Sequence, residues 1–203
     1  MHIKTLTVGP IETNCYVVSD EETMECAVID PGDESGTIMN YLESAGLKCR
    51  CILLTHAHFD HVGAVPELME ETGAALYMSA RDNGVAIGSG NERFLAPEGT
   101  KFYDDGDVVE LGSLSFKVIA TPGHTPGCVC LVCQDAIFSG DTLFRDSCGR
   151  TDFAASSTED ILRSLKRLAE LPGDYEVFPG HMSATTLDRE RRMNYFMHAA
   201  MNS

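Results

Sequence analysis

Over the first thirty residues apolar and polar positions alternate with a period near two. Residues 2–8, 14–19 and 25–30 read as strands joined by short turns, the third ending in Ile29-Asp30-Pro31-Gly32. The period then lengthens. Ile38, Leu42 and Ala45 fall at helical spacing and predict a helix over 34–45. The apolar run Cys51-Ile52-Leu53-Leu54 returns to strand character, and Val62, Val65, Leu68 and Met69 predict a second helix over 62–72. Between 79 and 100, Gly84, Gly88, Gly90, Pro97 and Gly99 interrupt any period, so a helix stub and an irregular loop are expected. Strands resume at 107–111, 114–120, 128–133 and 136–139. The most amphipathic segment is 158–170, with Ile161, Leu162, Leu165 and Leu168 inward behind a cap at Ser157 or Thr158. A strand at 175–178 and a helix over about 184–198 complete the chain. Each half runs strands, helix, strand and loop, with no linker-like break, so one domain over 1–203 is expected.

The chemistry is concentrated just past the fourth strand. Residues 55–61 read Thr55-His56-Ala57-His58-Phe59-Asp60-His61, four metal-ligand side chains within six positions. A helix would turn His58 away from the others, and a strand would turn His61 away. A loop at a strand end can aim all four at one point. Three more candidates sit in the same setting, after an apolar run and a glycine or proline: His124 in Thr121-Pro122-Gly123-His124, Asp141 in Ser139-Gly140-Asp141 and His181 in Pro179-Gly180-His181. Five of the seven histidines are thereby used, and His2 and His198 carry no assigned chemistry. Imidazole and carboxylate suit zinc, iron or manganese. Asp30, ending a strand near the same edge, is a candidate either to orient a ligand histidine or to cap its Pro-Gly turn.

Composition narrows the function. Charged residues make up 23% of the chain and apolar residues 43%, as in ordinary globular proteins. No run of 18 apolar residues and no secretory signal pattern occurs, so neither a membrane span nor export is expected. The net charge of −16 has no basic stripe to offset it, which disfavours nucleic acid as a substrate. Arg189-Glu190-Arg191-Arg192 reads as a solvated helix face. The eight cysteines sit mostly in apolar runs and fit a reducing cytoplasm better than a disulfide framework. Cys130-Leu131-Val132-Cys133 lies in a strand, away from any helix start, and reads as structural.

Were the seven ligands to form two adjacent sites, two divalent ions ~3.5 Å apart would repel by roughly 20 kcal/mol even at an effective dielectric of 20. Asp60, Asp141 and a bridging hydroxide would offset most of that charge. Metal-bound water ionises near neutral pH, so the implied class is metal-assisted hydrolysis with Asp60 as ligand and not base.

The THAHFDH segment, followed in order by His124, Asp141 and His181, resembles the metallo-β-lactamase superfamily. More narrowly, the chain is similar to the small single-domain glyoxalase II (hydroxyacylglutathione hydrolase) proteins. The similarity is carried by Thr13-Asn14-Cys15-Tyr16, Ile29-Asp30-Pro31-Gly32, Thr121 to Gly127, Ser139 to Phe144, Gly149 to Phe153 and Pro179-Gly180-His181. It implies a four-layer αββα sandwich of mixed α/β class with metals at one edge. It also implies that His56, His58 and His124 hold a first ion, that Asp60, His61 and His181 hold a second, and that Asp141 bridges them. The expected substrate is a small thioester such as S-lactoylglutathione, and the expected state a monomer or small homo-oligomer. Arg150 stands where that family places a substrate-binding lysine, and could clamp a carboxylate or be a surface residue. Phe144 joins it as a candidate substrate contact. For Phe59, Phe144 and Phe153 core packing is the default expectation. A persulfide dioxygenase with one iron shares the GRTDF and TPGHTPG segments and is the alternative. A β-lactamase is disfavoured by Asp141, and a diiron electron-transfer protein by the lack of a flavin domain.

Overall fold

The computed structural model describes residues 1–86 and 93–202. In chain order the first half contains β1 (His2–Val8), β2 (Thr13–Asp20), β3 (Glu25–Ile29), α1 (Ser35–Ser44) and β4 (Lys48–Leu53). The single turn α2 (Phe59–Val62), α3 (Val65–Thr72), β5 (Ala75–Ser79) and β6 (Lys101–Tyr103) follow. The second half contains β7 (Val108–Leu111), β8 (Leu114–Ala120), β9 (Val129–Cys133), β10 (Ala136–Gly140) and a hairpin of β11 (Leu143–Phe144) and β12 (Ser147–Cys148). Then come α4 (Thr158–Ala169), β13 (Glu176–Pro179), β14 (Thr185–Thr186), α5 (Leu187–Met193) and α6 (Tyr195–Met201).

Two six-stranded sheets, ordered β1-β2-β3-β4-β5-β6 and β14-β13-β10-β9-β8-β7, pack face to face. Strand β2 is buried along its whole length and β3 nearly so, because alternate residues serve different layers. Tyr16, Val18, Ala27 and Ile29 meet Phe116 and Phe138 between the sheets. Val17, Val28 and Ile52 turn the other way, under Ile38 and Leu42 of α1 and Val65 and Leu68 of α3. Beyond the second sheet, Cys130 and Ile137 pack beneath Leu165 and Leu168 of α4, Leu187 of α5 and Met197 of α6. Three apolar seams thus separate four layers, the αββα sandwich. Helix α4 forms as its sequence suggests: the Ser157 hydroxyl accepts from the Asp160 amide at 3.1 Å, with acidic residues in the first turn and basic ones in the last.

Strand direction positions the site. Strands β3, β4 and β5 are mutually parallel, while β9 runs antiparallel to both β8 and β10, and β13 parallel to β10. The carboxyl ends of β3, β4 and β5 in one sheet and of β8, β10 and β13 in the other therefore meet at one edge. Main-chain bonds fasten that edge: Val129 N donates to Thr55 O at 2.9 Å, Asn14 N to Gly180 O at 2.8 Å and Gly180 N to Gly140 O at 2.8 Å. The turn after β3 presses directly on α2. A Cβ on Gly32 would lie 1.7 Å from the Asp60 carbonyl oxygen, and one on Gly63 would lie 2.2 Å from the Gly32 carbonyl oxygen.

Several elements differ from the sequence expectation. The helix expected over 62–72 breaks at Gly63-Ala64, because that backbone is held against Gly32 and Pro66 suits only the first turn of a new helix. The helix expected over 184–198 gives up Thr185–Thr186 to β14 and breaks again at Asn194, whose side chain caps α6 by accepting from Phe196 N and Met197 N. Strands β5 and β6, which were not anticipated, flank the segment expected as a helix stub and loop; the stub is the single 3-10 turn Ala80–Asp82, and residues 87–92 of that segment lie outside the described residues. Arg189 and Arg191 are not a solvated face. Arg189 pairs with Asp146 at 2.8 Å, and Arg191 donates to the carbonyls of Ala169, Leu171 and Gly173 past the end of α4. Cys130 and Cys133 face opposite sides of their sheet, in different seams, and form no pair.

Two outcomes follow from these contacts. Gly32→Ala, having only backbone to displace, should destabilise the protein by about 3 kcal/mol in chemical denaturation, and an unshifted midpoint would contradict the close approach. Asp20 accepts from Ser113 N at 2.7 Å and from Glu22 N at 3.0 Å, and these bonds hold its carboxyl at about 2. Since the folded value lies below the unfolded one, its stabilisation is complete above about pH 4 and is lost as pH falls through about 2. Asp20→Asn should flatten that acid limb in thermal unfolding of chelator-treated protein.

Candidate metal centre

Each candidate ligand leaves the end of a strand at the shared edge. His56 and His58 lie on the loop after β4, and Asp60 and His61 in the one-turn α2 that follows. His124 comes after β8, Asp141 after β10 and His181 after β13. The structure brings all seven together. His56, His58 and His124 form one group and Asp60, His61 and His181 another, each with ligand atoms within 4.8 Å of one another. Asp141 stands between them. Its Oδ2 lies 3.4 Å from His124 Nε2 and 3.7 Å from His181 Nε2, and its Oδ1 lies 3.5 Å from His61 Nε2.

Whether these residues fit cations can be judged from their unmet bonding. His56 Nε2, His61 Nε2 and Asp141 Oδ1 are buried without a hydrogen-bond partner. Leaving even one such atom unpaired costs about 1–3 kcal/mol. His124 Nε2 and His58 Nδ1 face each other at 2.8 Å, as two lone pairs would if aimed at a common positive charge. The tautomers agree with this. His124 Nδ1 faces the Arg150 carbonyl at 2.8 Å and must be the protonated nitrogen, leaving Nε2 as the inward lone pair. The Thr55 hydroxyl donates to Asp30 Oδ2 at 2.6 Å and so accepts from His56 Nδ1 at 3.2 Å, which frees His56 Nε2. A nitrogen and oxygen donor set of this kind fits divalent zinc, iron or manganese.

Electrostatics point the same way. Burial, reinforced by neighbouring histidines, keeps His56 neutral and pushes His58 down to about 3. Burial opposes charge on His61 as well, but Asp141 and Asp30 outweigh it and raise that ring. His181 is raised against its burial by the Asp60 hydrogen bond and by Asp141. Burial would favour a protonated Asp60, yet contacts with His181 and His61 hold it well below the usual carboxylate range. Half of the cluster offers neutral donors, and the other half gathers positive charge around carboxylates.

A layer of tethers fixes the ligands. Asp30, left-handed at φ 50°, accepts from Thr55 N at 2.7 Å and lies 3.1 Å from His61 Nδ1, so it backs a ligand ring as well as closing its turn. Asp82 went unnoticed in the sequence. It accepts from Ala57 N at 3.0 Å, Thr125 Oγ1 at 2.8 Å and Gly127 N at 2.7 Å, joining the His56–His58 loop to the His124 loop. Its signal was the one used elsewhere, an acid following a strand, but β5 had not been identified. Asn14 and Tyr16 reach from β2 to the Pro179 carbonyl at 3.0 and 2.6 Å and hold the His181 turn. Glu190, fully buried, accepts from Asp146 N at 2.8 Å and from Asn194 Nδ2 at 3.0 Å, tying the β11–β12 hairpin to α5.

The cluster opens into a cleft of about 800 Å³. Phe59, Phe144 and Phe153 line it and do not join the core, contrary to the default expectation. The Phe153 ring centroid lies 5.2 Å from that of His58, and the Arg150 guanidinium lies over Phe153 at 4.5 Å while pairing with Asp152 at 2.6 Å.

This architecture and donor cluster define a metal-dependent hydrolase class. The family profile described as the metallo-beta-lactamase superfamily matches residues 8–181, and the chain belongs to that superfamily. A relative from Haemophilus influenzae, named hydroxyacylglutathione hydrolase GloC, is 32% identical, with 98% of this chain and 99% of that one covered. The solved structure of BLEG-1, described as a B3 metallo-beta-lactamase, is 31% identical with a TM-score of 0.87, covering 97% of this chain and 99% of the other. TTHA1623, solved in a di-iron-bound form, is 37% identical with a TM-score of 0.83, covering 95% and 99%.

Replacing Asp82 by Ala removes three hydrogen bonds behind two ligand loops without touching a ligand. Metal affinity in competition with a chromophoric chelator should weaken by about 10- to 100-fold, and unchanged affinity would show that the loops hold their shape without it.

Proposed function

We propose that the protein is a dinuclear metallohydrolase cleaving small thioesters, of the S-2-hydroxyacylglutathione type or with a related thiol. The observation that carries this is the position of Asp141, with one oxygen toward His124 and His181 and the other toward His61. In this reading His56, His58 and His124 hold one divalent ion, Asp60, His61 and His181 the other, and Asp141 both. Ions bound there would supply a hydroxide nucleophile at neutral pH and polarise the thioester carbonyl.

The chain's own residues do the rest. Asp60 and Asp141 supply the negative charge that lets two cations sit close together. The Thr13 hydroxyl donates to Asp60 Oδ2 at 3.1 Å and fixes that carboxylate's rotation. The Arg150 carbonyl holds the His124 proton on Nδ1, so that Nε2 presents its lone pair to the cluster. The rings of Phe144 and Phe153 flank the cluster and limit water beside the scissile bond. Arg150 and Phe144 would contact substrate. No helix among the described residues is long and apolar enough to cross a membrane. We place the protein in the cytoplasm as a monomer or small homo-oligomer, without nucleic acid as a partner.

Likeness to BLEG-1 supports β-lactam opening as a second reading, since the same nucleophile serves either carbonyl. One batch of protein with quantified metal should be assayed for S-lactoylglutathione hydrolysis, for cleavage of a chromogenic cephalosporin and for oxygen uptake with glutathione persulfide. Thioester hydrolysis with about two metals per chain, falling at least 100-fold with loss of one metal in Asp141→Asn, is the expected result. Cephalosporin cleavage alone would favour the lactamase. Oxygen uptake with a single iron would replace both with a dioxygenase.

A further inference from the structure

The rim of the cleft is chemically lopsided. On the side of Asp60 and His181 stand Ile11, Phe59 and Met182, which are 47%, 48% and 60% exposed. They come from three separate places, the β1–β2 turn, α2 and the residue after His181, yet all line the same cleft. Large apolar side chains exposed singly need no explanation, but three gathered at one mouth do. Met182 adds a second observation. It is left-handed, with φ 69°, a conformation that disfavours a long side chain and that glycine or asparagine would take more easily. A second groove of about 210 Å³ shares Ile11, Phe59 and Asp60 with the cleft and continues past them along Val8 and Pro10. Apolar lining therefore continues outward from the second ligand group, beside the polar Thr13 and Asp33.

The opposite side carries the one arginine or lysine lining the cleft among the described residues, Arg150. Its guanidinium is already met by both oxygens of Asp152 at 2.6 Å and stacked on Phe153. A peptide-like thiol arm with two carboxylates would find a single, pre-neutralised partner there. It would also approach a chain whose net charge is −16.

We propose that the enzyme selects thioesters with an apolar acyl arm, seated on Ile11, Phe59 and Met182, and a thiol arm of little net charge. This rests on the thioesterase reading and narrows it. Each methylene laid against such a wall raises kcat/KM by about threefold, somewhat under the full-burial value.

The test is a series of acetyl, butyryl and hexanoyl thioesters of N-acetylcysteamine, a neutral thiol, alongside S-lactoylglutathione, with the metal-loaded full chain. The expected result is kcat/KM climbing with acyl length and hexanoyl exceeding lactoylglutathione. In the double variant Ile11→Ser, Met182→Asn the hexanoyl-to-acetyl ratio should fall about tenfold with bound metal unchanged. A flat series, a preference for lactoylglutathione, or a ratio unmoved in the variant would overturn the proposal and leave the thioesterase reading standing. Hydrolysis of none of these thioesters would overturn both.

Discussion

Three carboxylates, Asp30, Asp60 and Asp141, are gathered beneath one edge of the sandwich among rings that are themselves mostly buried. Such a gathering is unfavourable in isolation, because burying an ion without a partner costs several kcal/mol. The protein alone relieves only part of it. His61 and His181 gain positive charge against their burial, while His56 Nε2 and Asp141 Oδ1 are left with nothing to bond. Cations bound there would resolve both deficits at once, giving the histidine lone pairs an acceptor and the carboxylates a counter-charge.

That constraint explains why the surrounding scaffold is so heavily tied. A cluster this costly must be held by structure that cannot relax around it. The two sheets present parallel strands whose ends converge, and the convergence is fixed by main-chain bonds from Val129 to Thr55 and from Asn14 to Gly180. Close backbone approaches leave no slack. At Gly180 a Cβ would lie 2.3 Å from Asp141 Oδ1, so only glycine lets the His181 turn pass the Asp141 carboxylate. The left-handed backbone of Asp30 belongs to the same economy, because it turns one carboxylate onto Thr55 and His61 together.

Much of this was legible in the sequence, and the failures have a common cause. Periodicity found the strands that alternate and the helix at 158–170, since those segments report their own burial. The convergence of the candidate ligands was legible because five histidines and two aspartates follow strand ends, which packing alone does not produce. What stayed hidden depends on contacts distant in sequence. Gly63 breaks a helix because of Gly32, and Asn194 breaks one because its amide also serves Phe144 and Ser147. Asp82 acts through two loops 25 and 45 residues away, and its strand, only five residues long, gives little pattern of its own. Arg150 was placed as a candidate contact, but its pairing with Asp152 and its stacking on Phe153 needed coordinates.

The tethers also divide the site into two parts with different freedom to change. Ligand positions are over-determined: moving one strains a sheet edge, a buried carboxylate and a glycine contact together. The rim is determined by much less. Ile11 sits on a turn and Phe59 and Met182 point to solvent beside ligands that are already fixed, so their replacement disturbs no hydrogen bond of the cluster. Proteins about 30% identical to this chain, sharing its fold, carry names as different as hydroxyacylglutathione hydrolase and B3 metallo-beta-lactamase. A rigid donor cluster, ringed by side chains that can be exchanged at small cost, accommodates such divergence. Substrate choice in this chain is accordingly to be sought in the rim, where an apolar wall and a self-paired arginine face each other across the cleft.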